Sequence, residues 1–442
     1  MPFSALGLSP ALLRGVLIQG YQVPTPVQTA AIPAILQGSD VLGLAQTGSG
    51  KTAAFCLPLL QGLLGDKSAA PSGAARPART AVRALVLVPT RELAAQVGET
   101  LRALCAHLPH PLKTTVVFGG VSINPQMMGL RGGADIVVAT PGRLLDLVDH
   151  NALDLSPTAT LVLDEADRLL DLGFADELGR ILNLLPKRRQ NLFFSATFPP
   201  SVQALADLLL RDPVRIEVAF TPETTPQITQ RAIEVDASRR TQLLRHLIEQ
   251  NKWTRVLVFV ATKHAAEIVA DKLRKANIWA EPFHGLLSQG KRSQVLADFK
   301  TSRVQVVVAT DLAARGIDIA ELPVVVNYDL PRSSVDYVHR IGRTARAGSS
   351  GLAVSFISRD TATHFDLIEK RNRQRLVREQ IADFEPEALA PADPAPSGAA
   401  TVAGVDAPRN AAGQAGNGGI KGKRPSKKDK LRAAAALQAP AQ

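Results

Sequence analysis

Short aliphatic runs, each the length of one strand and each followed by a helix-length pattern, constrain this chain more than any other feature. They fall at residues 41–45, 84–88, 115–118, 136–139, 161–163 and 192–195. Strands that alternate with helices must run parallel, because each return to the starting edge of the sheet needs a crossover, and the crossover helices then cover both faces. The predicted fold class is therefore α/β, a doubly wound parallel sheet. Aromatic residues make up only 4% of the chain, so its cores have to be built from Val, Leu, Ile and Ala, as sandwiched parallel sheets usually are.

A second series follows at 256–260, 304–309, 324–328 and 353–357, after the stretch Thr221-Pro222-Glu223-Thr224-Thr225-Pro226. A chain of 442 residues has room for two such domains, each with its own core. The expected organisation is a first domain over 1–218, a linker over 219–228, a second domain over 229–380 and a low-complexity basic tail over 385–442. From about residue 391 the sequence is rich in Ala, Pro and Gly and lacks periodicity, and it carries Lys421, Lys423, Arg424, Lys427, Lys428, Lys430 and Arg432 near its end. Such a tail reads as disordered, with a short helix over 429–437 as an option. The similarly biased segment 68–80 reads as a surface loop within the first domain.

The chemistry starts at Ala45-Gln46-Thr47-Gly48-Ser49-Gly50-Lys51-Thr52, between the run at 41–45 and a helical pattern. Gly48 and Gly50 allow the backbone to curl until the N–H groups of Gln46, Thr47, Gly48, Ser49 and Gly50 face phosphate oxygens, with a helix N-terminus behind them. Lys51 then reaches the β- and γ-phosphates, and the Thr52 hydroxyl ligates Mg²⁺. In the pattern G-x-x-x-x-G-K-[ST] the first Gly is replaced by Ala45, and the other three fixed positions, Gly50, Lys51 and Thr52, fit. Asp164-Glu165-Ala166-Asp167 follows the run Leu161-Val162-Leu163, at the strand end where open α/β sheets carry ligands. Asp164 is suited to hold Mg²⁺ through water, and Glu165 to orient and deprotonate an attacking water. The two segments together specify hydrolysis of a nucleoside triphosphate.

Composition narrows the partners. A formal net charge of +11 favours a polyanion, whose counterions clustered Lys and Arg release. Cys56 and Cys105 sit in apolar helical patterns and are too few for a zinc site of usual spacing, so both read as core residues. No apolar run approaches the ~20 residues a bilayer requires. The N-terminus lacks a basic region ahead of an apolar stretch, so a cytoplasmic location is expected by default.

Further segments stand at the ends of the predicted strands. Phe3 precedes Gly20-Tyr21-Gln22-Val23-Pro24-Thr25-Pro26-Val27-Gln28. Pro89-Thr90-Arg91-Glu92-Leu93, Gly119-Gly120, Thr140-Pro141-Gly142-Arg143 and Ser195-Ala196-Thr197 follow in the first half. Val258-Phe259-Val260, Gln289 with Arg292, Ala309-Thr310-Asp311-Leu312-Ala313-Ala314-Arg315-Gly316-Ile317-Asp318 and His339-Arg340-Ile341-Gly342-Arg343-Thr344-Ala345-Arg346 follow in the second. In this order, over roughly residues 3–375, the chain resembles a DEAD-box ATP-dependent RNA helicase, most similar to the bacterial RhlE-like group. Ala345 stands where family members often carry Gly, a minor departure in a helical backbone.

The resemblance implies two tandem RecA-like domains and an RNA-dependent ATPase using ATP and Mg²⁺. It implies that Gln28 reads the adenine edge with Tyr21 stacked on the ring, a task suited to an amide that offers donor and acceptor in one plane. It implies RNA-backbone contacts from Pro89, Thr90, Arg91, Gly120, Thr140, Arg143, Thr310, Arg315 and Gly316, and a ribose contact from Asp318. Asp167, Ser195, Thr197 and His339 would couple RNA occupancy to the ATP site, although a purely structural histidine stays open for His339. Arg343 and Arg346, three residues apart, would reach the γ-phosphate from the second domain. Domain closure over ATP and single-stranded RNA would then unwind short duplexes locally or remodel RNA–protein complexes. An ATP-gated clamp, annealer or scaffold on the same fold stays open as the alternative. The implied partner is RNA, with ribosomal precursors or RNA-decay machinery as candidate settings, no membrane, and a monomeric chain.

Overall fold

In the computed structural model, the structure describes residues 1–45, 48–68, 82–218, 228–314, 322–344 and 350–387. The expected loop at 68–80, the expected linker and the basic tail with its optional helix lie outside the described residues, apart from residue 68, at the end of the helix Lys51–Ser68, Ile228 and residues 385–387.

Seven strands form the first sheet: β1 (Val41–Leu44), β2 (Ala84–Leu87), β3 (Thr114–Val117), β4 (Ile136–Ala139), β5 (Thr160–Leu163), β6 (Gln190–Ser195) and β7 (Val214–Glu217). Seven more form the second: β8 (Ile228–Glu234), β9 (Val256–Val260), β10 (Ala280–Phe283), β11 (Val306–Thr310), β12 (Val324–Asn327), β13 (Gly351–Ile357) and β14 (Arg378–Glu379). The spatial orders are β3-β4-β2-β5-β6-β1-β7 and β10-β11-β9-β12-β13-β8-β14, so the second sheet repeats the topology of the first strand for strand. All the strand pairings within them are parallel.

The runs lack polar alternation because both faces are covered. In β2, Ala84 and Val86 enter one core while Leu85 and Leu87 enter the core on the opposite face, all without solvent exposure. In β9, Val256, Val258 and Val260 divide from Leu257 and Phe259 in the same way. Each of the Val, Leu and Phe side chains among them contributes about 1.5–3 kcal/mol on burial. Close packing is set by small residues at particular points: a Cβ on Gly43 of β1 would come within 2.5 Å of the Phe194 ring.

Four strands went unrecognised in the sequence. β10 carries Pro282 and is an edge strand, where a missing N–H costs no ladder bond. β7 is the opposite edge of the first sheet and buries only Ile216. β8 reads Ile-Thr-Gln-Arg-Ala-Ile-Glu, with only Ala232 and Ile233 buried. It lies beside the two-residue β14, and its polar side chains find partners there, as Arg231 does on Glu379 at 2.6 Å. Among the described residues no helix is long and apolar enough to cross a membrane.

Candidate active site at the carboxyl edges of the two sheets

β1 ends at Leu44, and the chain turns into the helix Lys51–Ser68. Ala45 N–H donates to the Ser195 carbonyl at 3.0 Å, tying the turn to β6. Gly48 and Gly50 adopt φ of 85° and 90°, the left-handed region that an L side chain resists. Lys51 is buried and curls back so that Nζ donates to the Ala45 carbonyl at 2.5 Å. Thr52 is half-buried in the first helical turn. Gln46 and Thr47 lie outside the described residues.

Gln28 is buried, and its amide is engaged at both ends. Thr25 N–H donates to Oε1 at 3.0 Å, and Nε2 donates to the Gly50 carbonyl at 3.1 Å. Gln28 thus braces the glycine turn at 48–50, leaving one N–H and one lone pair for a further contact. The role expected at adenine did not include this bracing of the turn. Tyr21 packs its ring against Phe3, with centroids 6.4 Å apart.

β5 delivers Asp164, Glu165 and Asp167, which are 2%, 5% and 3% exposed. Glu165 has φ 52° and ψ 52°, a left-handed conformation costly for a residue with a side chain. Its N–H donates to Asp164 Oδ1 at 2.9 Å. Glu165 Oε2 lies 3.4 Å from Arg168 Nε and has no hydrogen-bond partner. Burial pushes the Asp164 carboxyl up to about 7, against the opposing pull of Lys51, while Glu165 and Asp167 add to the rise.

Three buried carboxylates therefore face two cations, Lys51 and Arg168, and the site is short of positive charge. A magnesium ion fits that deficit, with Asp164 and Thr52 as hard oxygen donors. Among the described residues no three His, Cys, Asp or Glu side chains converge on one point. That too suits Mg²⁺, which keeps several waters and takes few protein ligands.

Asp167 is bound to β6. Its Oδ2 accepts from Thr197 N–H at 3.1 Å and Thr197 Oγ1 at 2.7 Å, and its own N–H donates to Ser195 Oγ at 3.3 Å. Burial alone would raise its pKa, but these bonds and the Arg168 and Lys51 charges lower it on balance.

The second sheet brings its cations to the same place. Arg168, Asp336, His339 and Arg343 line one small cavity together with Phe259, Asp311 and Arg340. Desolvation, then the charges of Arg168 and Arg343, holds His339 down to about 4, although Asp167 pulls the other way. The ring is therefore neutral near pH 7. Arg340, to which the sequence pattern alone gives no role, is the anchor of this edge. It donates to both Asp311 carboxylate oxygens at 2.6 and 2.7 Å, to Asn327 Oδ1 at 3.1 Å and to the Asp329 carbonyl at 2.6 Å. Arg315, Gly316, Asp318 and Arg346 lie outside the described residues.

The expected RNA contacts gather along the carboxyl edges. Pro89 and Thr90 follow β2, and Thr90 Oγ1 caps the helix Arg91–Cys105 by accepting from Leu93 N–H at 3.2 Å. The Arg91 guanidinium occupies the space that a side chain at Gly120 would fill. Gly119 N–H donates to Thr140 Oγ1 at 3.3 Å. Arg143 is buried and donates through Nη2 to the Val121 carbonyl at 2.7 Å, while its Nε and Nη1 have no hydrogen-bond partner. Thr310 closes β11 and is half-buried.

Glu92 has no role that its motif alone assigns, yet it joins the sheets. Arg292 Nε donates to Glu92 Oε1 at 2.7 Å, with both side chains buried. Arg292 also donates to the carbonyls of His284 and Ala313, at 3.2 and 3.3 Å, and covers the Phe283 ring. The spacing Gln289–Arg292 is visible in the sequence, but nothing there points to a carboxylate 200 residues away.

Residues 25–205 match the DEAD/DEAH box helicase family, and residues 239–348 match the helicase conserved C-terminal domain. An ATP-dependent RNA helicase DeaD of Mycobacterium tuberculosis is 41% identical over 383 residues, covering 87% of this chain and 65% of that protein, so the chain spans less than two thirds of it. The DEAD-box ATP-dependent RNA helicase CshA of Bacillus cereus is 39% identical, over 85% of this chain and 69% of its own. Among solved structures, Saccharomyces cerevisiae Dbp5 bound to RNA and ADP BeF3 superposes with a TM-score of 0.74 at 30% identity, covering 86% of this chain and 95% of that one.

Proposed function

Since this chain belongs to the DEAD/DEAH box helicase family, we propose that it is an RNA-dependent ATPase that locally unwinds short RNA duplexes or remodels RNA–protein complexes. Lys51 and the turn at 45–50 bind the phosphates, and a phosphate oxygen competes with the Ala45 carbonyl for the Lys51 ammonium. Gln28 holds that turn and offers its remaining donor and acceptor to the base, with Tyr21 beside it. Asp164 and Thr52 hold Mg²⁺, which neutralises charge on the phosphates when bound. Glu165 orients the attacking water and takes its proton. Arg343 and Arg346 bring positive charge from the second domain, an effect worth roughly 10³–10⁵ in rate where arginine fingers operate.

Hydrogen bonds from Thr197 to the Asp167 carboxylate and from the Asp167 N–H to Ser195, with the neutral His339 ring nearby, carry the state of the RNA-facing edge to the water-activating carboxylate. Thr90, Arg91, Gly120, Thr140, Arg143, Thr310, Arg315 and Gly316 contact the RNA backbone, so no base sequence is read. The RhlE-like assignment, a cytoplasmic location, a monomeric chain and settings in ribosome assembly or RNA decay belong to the same reading. So do the boundaries at 218, 229 and 380.

The observation that carries the reading is Glu165: a buried carboxylate in a strained backbone conformation, with an oxygen lacking a hydrogen-bond partner, beside a carboxyl suited to a metal. The test is steady-state ATP hydrolysis with and without single-stranded RNA, with Lys51→Ala as control. Turnover should rise with RNA and vanish in Lys51→Ala, and Glu165→Gln should lose about 10²–10⁴ in rate while still binding nucleotide. Equal stimulation by DNA of the same length and sequence would overturn the RNA assignment.

A further inference from the structure

The helix Arg359–Arg371 leaves the carboxyl end of β13 and returns along the second sheet, so its last turn lies at the amino edge, opposite Thr310 and Asp329. Beyond it the chain forms a strap that leads into β14. Alternate residues of this strap are tied down. Gln374 accepts from Gln230 Nε2 at 3.1 Å, Leu376 packs into the core while its N–H donates to Glu369 Oε1 at 2.8 Å, and Arg378 donates to Glu369 and Asp366 at 2.7 and 2.8 Å.

Between these contacts the chain lies at the surface, with Arg373 in the left-handed turn that closes the helix and Gln374 itself exposed. Arg373 and Arg375 are exposed, Val377 is 83% exposed, and Lys370 and Arg371 stand at the surface just before them. None of these four cations makes an ion pair or side-chain hydrogen bond among the described residues. The nearby Glu369 is already taken by Arg378 and the Leu376 N–H. Cations at a helix C-terminus complement the helix dipole, which accounts for Lys370 and Arg371. It does not account for Arg373 and Arg375, which lie past the helix end on a strap whose other face is anchored.

We infer that Lys370, Arg371, Arg373 and Arg375 form a second RNA-backbone contact, remote from the ATP site and engaged without nucleotide. The inference rests on the RNA-dependent reading above. The anchored strap fixes the backbone that carries the arginines, so only side-chain freedom is lost when they meet phosphates, and their planar forks match phosphate oxygens. An interface with a folded protein would want an apolar centre. Here the exposed apolar side chains, Val377 and Leu367, are flanked by charge and no aromatic residue joins them. The ledge would hold RNA that runs past the closing edges, so that the substrate stays attached while the sheets part.

The experiment measures equilibrium binding of single-stranded RNA to the full chain, without nucleotide, across a salt series. Arg373→Asn with Arg375→Gln is compared with Lys187→Gln with Arg188→Gln, an equal loss of exposed charge on the first domain. Asn tolerates the left-handed backbone of Arg373, whose φ is 54°. The strap pair should flatten the slope of log affinity against log salt by about 0.7 for every phosphate that is no longer neutralised, the control pair should not, and RNA-stimulated turnover at saturating RNA should be unchanged in both. A strap-pair slope equal to wild type or to the control overturns the RNA ledge and returns the surface to an acidic protein partner. A wild-type chain that binds no RNA overturns the helicase reading and the ledge with it.

Discussion

His339 ties pH to the meeting of the two sheets. Its ordinary pKa of 6.5 is lowered to about 4 by desolvation and by the charges of Arg168 and Arg343, and of these two Arg168 belongs to the first sheet, so His339 meets it only when the sheets face each other. A ring whose pKa is lowered in the joined arrangement supports that arrangement fully above about 6.5. The support is lost as pH falls toward about 4, because protonation favours separation. RNA-stimulated turnover should fall across this window. Asp164, held up to about 7, protonates over an overlapping range, so the informative quantity is the difference between wild type and His339→Asn. The variant should show a flatter acid limb, and superimposable profiles would remove His339 from the coupling. At this scale much of the placement was legible in the sequence: Asp164, Glu165 and Asp167 come at once after an apolar run and Lys51 after one short glycine turn, so their position at a strand's carboxyl end could be read from local order. What Gln28 does could not be read this way, because its partners at Thr25 and Gly50 depend on how the helix Pro26–Leu36 lies against the turn.

The Glu92–Arg292 pair shows what an element contributes beyond its own residues. The helix Arg91–Cys105 presents Glu92 from its first turn, and the helix Gln289–Lys300 presents Arg292 from its own. Removing one partner of a buried pair costs about 3–5 kcal/mol, because the other charge stays buried and uncompensated. Here the sheets can part instead, so Glu92→Gln and Arg292→Gln should depress RNA-stimulated turnover strongly while the thermal unfolding midpoint moves little. Combining the two should restore part of the loss, and simple additivity of the two single effects would argue that the pair does not act as a unit. Element prediction succeeded where a strand is central and fully apolar, as in β2, β4 and β9. It failed for β7, β8 and β10, whose edge or near-edge places allow Arg215, Arg231 and Pro282 among their residues.

Across the whole molecule, two sheets of identical strand order put their candidate site residues on their carboxyl edges, and the proposed ATPase requires the edges to face one another. The excess positive charge lies partly in the tail, so deleting residues 391–442 should weaken RNA binding and flatten its salt dependence, with turnover at saturating RNA retained. A slope unchanged by the deletion would show that the tail does not meet the phosphate backbone. By itself the sequence determined the class of fold, the glycine turn after β1 and the acidic end of β5, because each depends on residue order within one strand and the turn after it. Only the tertiary structure decided that Arg292 answers Glu92, that Arg340 anchors Asp311, and that Arg168, His339 and Arg343 share one cavity. Those choices follow from the need to compensate every buried charge, and the compensating group is set by which surfaces meet in space, something residue order does not encode locally.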